Sequence, residues 1–160
     1  MASALLNVWI VCFALIAGGA FLTWIDRLEL KPRTLAATDF SLPMSLAVGA
    51  AQLLALIPGV SRPAAAIPAA MLLGADRRAA AEYSLWLAIP SLAGLLACDL
   101  YQDGLQLAGS PLLGALGFAA AFLTAWPVAR SFPDHVSRHG LTLFAWWRVI
   151  VGTLGLIGSV

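Results

Sequence analysis

Leu56-Ile57-Pro58-Gly59-Val60-Ser61-Arg62-Pro63 decides how this chain folds. It interrupts a long apolar tract at its middle. Pro58 and Gly59 stop a helix, Ser61 is a good N-cap residue, and Pro63 suits the first turn of a new helix. The stretch therefore predicts two helical arms meeting at a tip, one over residues 40–57 and one over residues 63–74. The second arm is short. At ~1.5 Å rise per residue it covers about half of a ~30 Å hydrocarbon core. Residues 40–74 thus read as a re-entrant hairpin whose arms enter and leave on one face of a membrane.

Working outward, the rest of the chain is membrane-like throughout. Of its 160 residues, 61% are hydrophobic and 11% charged, where soluble domains carry about 25% charged residues. Apolar runs predict full spans over residues 7–24, 79–97, 112–129 and 141–157. The expectation is an all-α integral membrane protein with about four transmembrane helices and one re-entrant hairpin, a single membrane domain over residues 1–160. There is no room for a soluble domain beside it. Met1–Ser3 bring no positive charge ahead of the first run, which argues against a cleaved signal peptide. Cys12 and Cys98 lie inside apolar runs and are expected as small buried hydrophobes.

Basic residues orient the spans. Arg27, Lys31, Arg33, Arg77, Arg78, Arg130 and Arg138 fall on one side of this topology, whereas residues 99–110 carry Asp99 and Asp103 and no Lys or Arg. The positive-inside rule places the basic side in the cytoplasm and the hairpin tip toward the outer side of a bacterial inner membrane. No nucleic-acid motif or internal repeat occurs.

The chemistry-bearing residues concentrate at the tip. A helix N-terminus offers free N–H groups and a partial positive charge, and Arg62 adds a forked, permanently charged donor set suited to phosphate. An arginine at membrane depth is costly and so marks a functional site. Gly59, Ser61 and Arg62, with Gln52 two turns earlier, are the candidate binding residues. Arg148 lies in the last span, where it snorkels inward or holds a partner such as Glu82. Glu82 stands one turn after Arg78 and reads as a supporting or structural residue. Trp146 and Trp147 read as interfacial anchors. His135 and His139, with Asp134, fall in an expected solvated loop over residues 130–141, and no metal site is assigned to them.

Further motifs fit one known family. Gln52-Leu53-Leu54-Ala55-Leu56-Ile57-Pro58-Gly59-Val60-Ser61-Arg62 resembles the second signature of the undecaprenyl-diphosphate phosphatase family, the bacitracin-resistance type. The resemblance continues through Met71-Leu72-Leu73-Gly74, Ala81-Glu82-Tyr83-Ser84, Leu87-Ala88-Ile89-Pro90, Val136-Ser137-Arg138-His139-Gly140 and Phe144-Ala145-Trp146-Trp147-Arg148. It covers nearly the whole chain but matches the C-terminal half of a typical member. It implies a lipid-diphosphate phosphatase recycling the cell-wall carrier lipid, with a polyprenyl diphosphate as partner, Ser61 and Arg62 as the catalytic-site residues, and room for a divalent cation accompanying the diphosphate.

Two departures bear on activity. The paired-glutamate signature of the family's first half is absent, and the pattern after Arg62 reads Pro63-Ala64-Ala65-Ala66 where the family carries Ser-Gly-x-Thr. Anion binding is kept while no base is evident. The missing groups would come from a dimer or partner subunit, although a homodimer restoring the two halves needs one inverted copy, which the charge bias opposes. The alternative is a non-catalytic relative that binds or translocates polyprenyl phosphate. Because the chain starts with Met1 and ends after a full apolar run, a self-contained chain is expected rather than a fragment.

Overall fold

The computed structural model describes residues 8–28, 30–103 and 111–158. Among these it is all-helical: α1 (Val8–Arg27), α2 (Leu42–Ala51), α3 (Arg62–Leu72), α4 (Arg77–Asp103), α5 (Pro111–His139) and α6 (Thr142–Gly158), with short 3-10 turns at Ala37–Asp39 and Gln52–Leu56. Helices α1, α4 and α5 contain stretches long and apolar enough to cross a membrane; α6 is a 17-residue apolar helix. The chain is an α-helical membrane protein. The residues ahead of Val8, on which the absence of a signal peptide was argued, lie outside the described part.

The two expected arms are present as α2 with its 3-10 extension and α3, packed against each other. Their bases are tied together: the N–H groups of Arg33 and Thr34 donate to the Gly74 carbonyl at 2.7 and 3.0 Å, and Asp76 N–H returns to Thr34 O at 2.9 Å. Small residues let the hairpin sit deep in the bundle. Ala66, Ala70, Ala80 and Ala81 are fully buried around Ile67 and Val48.

Helices α1 and α6 form the tightest pair in the fold. A Cβ on Gly19 would meet Ala145 O and Val149 Cγ2 at 2.7 Å, and one on Gly152 would lie 2.9 Å from Cys12 O. Apolar chains gain little by leaving lipid for protein, so membrane helices associate where small residues bring backbones close. Cys12 is buried in this seam.

One end of the bundle is knitted by polar contacts. Arg77 Nη2 pairs with Asp26 Oδ1 at 2.9 Å, Thr142 Oγ1 donates to the other Asp26 oxygen, and Arg78 reaches both Glu82 (3.0 Å) and Asp134 (3.1 Å). Gly140, at φ +68, closes α5 against the Asp26 carboxylate.

Three expectations are corrected. Residues 130–141 are not a solvated loop: α5 continues to His139. Phe132, Val136 and Gly140 recur at helical spacing on the packed face, while Asp134, Ser137, Arg138 and His139 between them are exposed. His135 and His139 stack at 4.6 Å on that helix. Cys98 is exposed, because no described residue covers the far half of α4. Arg148 does not hold Glu82, which is engaged by Arg78.

Candidate functional site

The tip follows from its residues. Gly59 adopts φ +97, a left-handed conformation that side-chain-bearing residues avoid. It also packs hard on α1: a Cβ there would sit 2.7 Å from Val11 O and 3.0 Å from Ala14 Cβ. Ser61 caps α3 as expected, its Oγ accepting from Ala64 N–H at 3.2 Å. Pro63 stands in the first turn, where a missing N–H costs nothing.

Arg148 completes the site from α6. Its Nη1 donates to Ser61 Oγ at 3.0 Å and its Nη2 to Gly59 O at 2.6 Å. The residue is 8% exposed and its Nε–H, although buried, has no hydrogen-bond partner. Among the described residues no carboxylate pairs with it. Gly18 makes the slot, since a Cβ at that position would lie 2.7 Å from Arg148 Nη2. A buried, uncompensated guanidinium is costly in a membrane protein, about 2.5–3.5 kcal/mol on insertion scales. It is maintained here by two neutral acceptors and retains donor capacity.

Beneath the tip lies a cavity of about 280 Å³. Gly59, Ser61 and Arg148 form its polar end, and Leu15, Leu22, Ile67, Phe132, Leu141 and Phe144 are among its apolar walls. A serine hydroxyl has two acceptor lone pairs and one proton. Ala64 N–H and Arg148 engage the oxygen, which leaves the proton to donate to a ligand. The arrangement places unused N–H and O–H donors at the polar end of an apolar chamber, and such donors are complementary to an anion. Among the described residues that line the cavity there is no carboxylate, the usual ligand of a divalent cation, and the oxygens of Gly59 and Ser61 are neutral and engaged by Arg148.

The expected residues divide accordingly. Gly59 and Ser61 are at the site. Arg62 begins α3 but does not line the cavity, and among the described residues its guanidinium has no hydrogen-bond or ion-pair partner. Gln52 lies in the 3-10 turn, outside the cavity, with its Nε2 buried and unpartnered. Glu82 is at the polar-knit end, bound to Arg78. Arg148, expected to snorkel inward or hold Glu82, lies at the site; the signal that marks it is the one applied to Arg62, an arginine inside an apolar run. Trp147, expected as an anchor, also lines the cavity.

Fold and site together define a helical membrane protein with a buried arginine and a capped helix N-terminus at the polar end of an apolar cavity. Residues 1–154 match the model of the bacitracin resistance protein BacA family, and the chain belongs to that family. It is 58% identical over 156 residues to an undecaprenyl-diphosphatase of Rhodopseudomonas palustris strain BisB18. It is 55% identical over 156 residues to one of Bradyrhizobium diazoefficiens. Each alignment covers 97% of this chain and 58% of the relative, so the chain spans little more than half the length of these relatives.

Proposed function

We propose that this chain carries the diphosphate-binding half of an undecaprenyl-diphosphate phosphatase, serving carrier-lipid recycling in cell-wall synthesis. The observation that carries the reading is Arg148, buried, without a carboxylate partner among the described residues, and aimed at Ser61 and Gly59 of the tip. The reaction adds water to the terminal phosphorus, breaks the phosphoanhydride bond and releases inorganic phosphate, leaving the lipid monophosphate. Charge builds on the phosphoryl oxygens and on the leaving oxygen, where fixed N–H donors are most effective. Arg148 and the Ser61 hydroxyl bind and stabilise those oxygens. Arg62, at the first turn of α3, adds long-range positive charge.

The hairpin is re-entrant in this reading. Its bases join near Asp26, while Gly59 abuts Ala14, which lies ~18 Å away along α1 at ~1.5 Å per residue. That depth is mid-membrane in a ~30 Å core. Helix α6, in contact with α1 along its length, serves as the fourth span. The basic end faces the cytoplasm by the positive-inside rule, and the tip is reached from the outer face of the inner membrane.

A base or nucleophile comes from elsewhere, a partner subunit or further protein. The large apolar side chains of α5 from Leu112 to Val128 are exposed and offer the surface for it. The second reading, a non-catalytic protein that binds or translocates polyprenyl phosphate, draws on the cavity wall, which has no His, Asp or Glu among the described residues. Phosphate release from undecaprenyl diphosphate by the purified chain tests the choice. Slow turnover with clear binding favours the first reading as half of an enzyme, and binding with no turnover, even with a supplied partner half, favours the second.

A further inference from the structure

The cavity beneath the tip is far larger than an anion site needs, and it extends in one direction. Along α1 it is bounded by Leu15 and then Leu22, two turns or ~10 Å nearer the polar-knit end. From α6 to the residue just ahead of it, the walls step from Arg148 to Phe144 to Leu141, about a turn apiece. The charged end is therefore at the tip and the apolar chamber runs from it toward Asp26 and Gly140. Phe144 and Trp147 line this chamber and also a shallow apolar hollow on the outside of α6 with Leu143 and Ile150. These two rings form a shared rim between the chamber and the bundle's apolar exterior.

Resting on the diphosphate reading of the tip, we infer that this chamber holds the first two five-carbon units of the isoprenoid chain, and that the remainder leaves to the lipid between Phe144 and Trp147. Size bounds the count: an apolar cavity of about 150 Å³ takes a six-carbon ring, so about 280 Å³, part of it at the polar end, takes at most about ten carbons. Wall chemistry supports the occupant. Branched and aromatic side chains surround the space, with polar groups confined to the head end. The chain then runs toward the basic, cytoplasmic side from a headgroup held at mid-depth, and units beyond the second contribute little to recognition.

The test uses the purified chain in nanodiscs and a ten-carbon prenyl diphosphate carrying a photoreactive diazirine on its second unit. Adducts should map to Leu22, Phe132 and Phe144, and excess inorganic diphosphate should suppress them at least tenfold. Ala64→Leu, which fills the chamber from α3 and keeps the backbone N–H that Ser61 accepts from, should suppress them equally and by a larger factor than it weakens inorganic diphosphate binding. A twenty-carbon probe with the diazirine on its fourth unit should label Leu143 or Ile150 instead. Adducts on the outer arm, at Leu46 or Leu53, or labelling indifferent to Ala64→Leu, would overturn the assignment. Should Ala64→Leu fail to fold, Phe144→Trp narrows the rim and must reduce the adducts at Leu22. Cavity adducts that Ala64→Leu removes but inorganic diphosphate does not would uphold the chamber and refute the anion reading of Arg148.

Discussion

Arg148 donates a 2.6 Å hydrogen bond to the carbonyl oxygen of Gly59, a residue 89 positions earlier in the chain. The bond joins the last helix to the hairpin tip, and its geometry depends on a glycine at both ends. Gly59 supplies the carbonyl from a left-handed turn, and Gly18 leaves the space through which the guanidinium passes.

Gly59→Ala meets two obstacles at once. A left-handed alanine costs roughly 1–2 kcal/mol, and its Cβ would strike the Val11 carbonyl. The variant should unfold at least several degrees below the wild type in detergent, read by thermal melting, and should lose diphosphate binding. A wild-type melting curve would mean that the tip sits away from α1.

Gly18→Leu and Gly18→Ala form a graded pair. Leucine fills the Arg148 slot and should abolish diphosphate binding while α1 and α6 remain paired, whereas alanine, displacing only the end of a flexible side chain, should weaken it less. Equal binding by both variants and the wild type, in a titration with inorganic diphosphate, would place the guanidinium elsewhere.

Ser61 separates binding from attack. Its oxygen already accepts two hydrogen bonds, so its role is to donate. Ser61→Ala should lower affinity about tenfold, the equivalent of ~1.4 kcal/mol, and destabilise α3 by the ~0.5–2 kcal/mol of a lost cap. Ser61→Thr should restore both. Complete loss of turnover in Ser61→Ala with binding unchanged, measured in an active assembly, would make Ser61 the nucleophile.

Topology is tested at Val60. In a background lacking Cys12 and Cys98, Val60→Cys should react with an impermeant thiol reagent added from outside the cell membrane. Labelling from the cytoplasmic face alone would invert the proposed orientation.

Much of this was legible in the sequence, for identifiable reasons. Pro58, Gly59, Ser61 and Pro63 are local signals, and local signals set turns and caps; the tip and the start of α3 followed directly. The extent of α5 did not follow, because Arg130, Asp134 and Arg138 raise polarity while Phe132 and Val136 keep helical spacing. Arg148 was visible as an arginine among apolar residues, but which element it meets is a tertiary fact. Counting turns from the basic end points to Glu82, whereas the helix directs Arg148 toward the tip, where Ser61 lies 87 residues earlier in the sequence. The exposure of Cys98 depends on what covers α4, which no pattern within α4 encodes.

In the proposed function Arg148, more than Arg62, holds the anion. This role is tested by titrating the purified chain with inorganic diphosphate and comparing Arg148→Gln, Arg148→Lys and Arg62→Ala, each checked for retained thermal stability. Truncating one partner of a buried charged contact costs about 2–5 kcal/mol, so Arg148→Gln should lose roughly 30-fold or more in affinity. Lysine, which lacks the fork, should recover only part, and Arg62→Ala should lose less than about tenfold. An Arg62→Ala loss exceeding that of Arg148→Gln, or wild-type binding by Arg148→Gln, would place the anion away from Arg148.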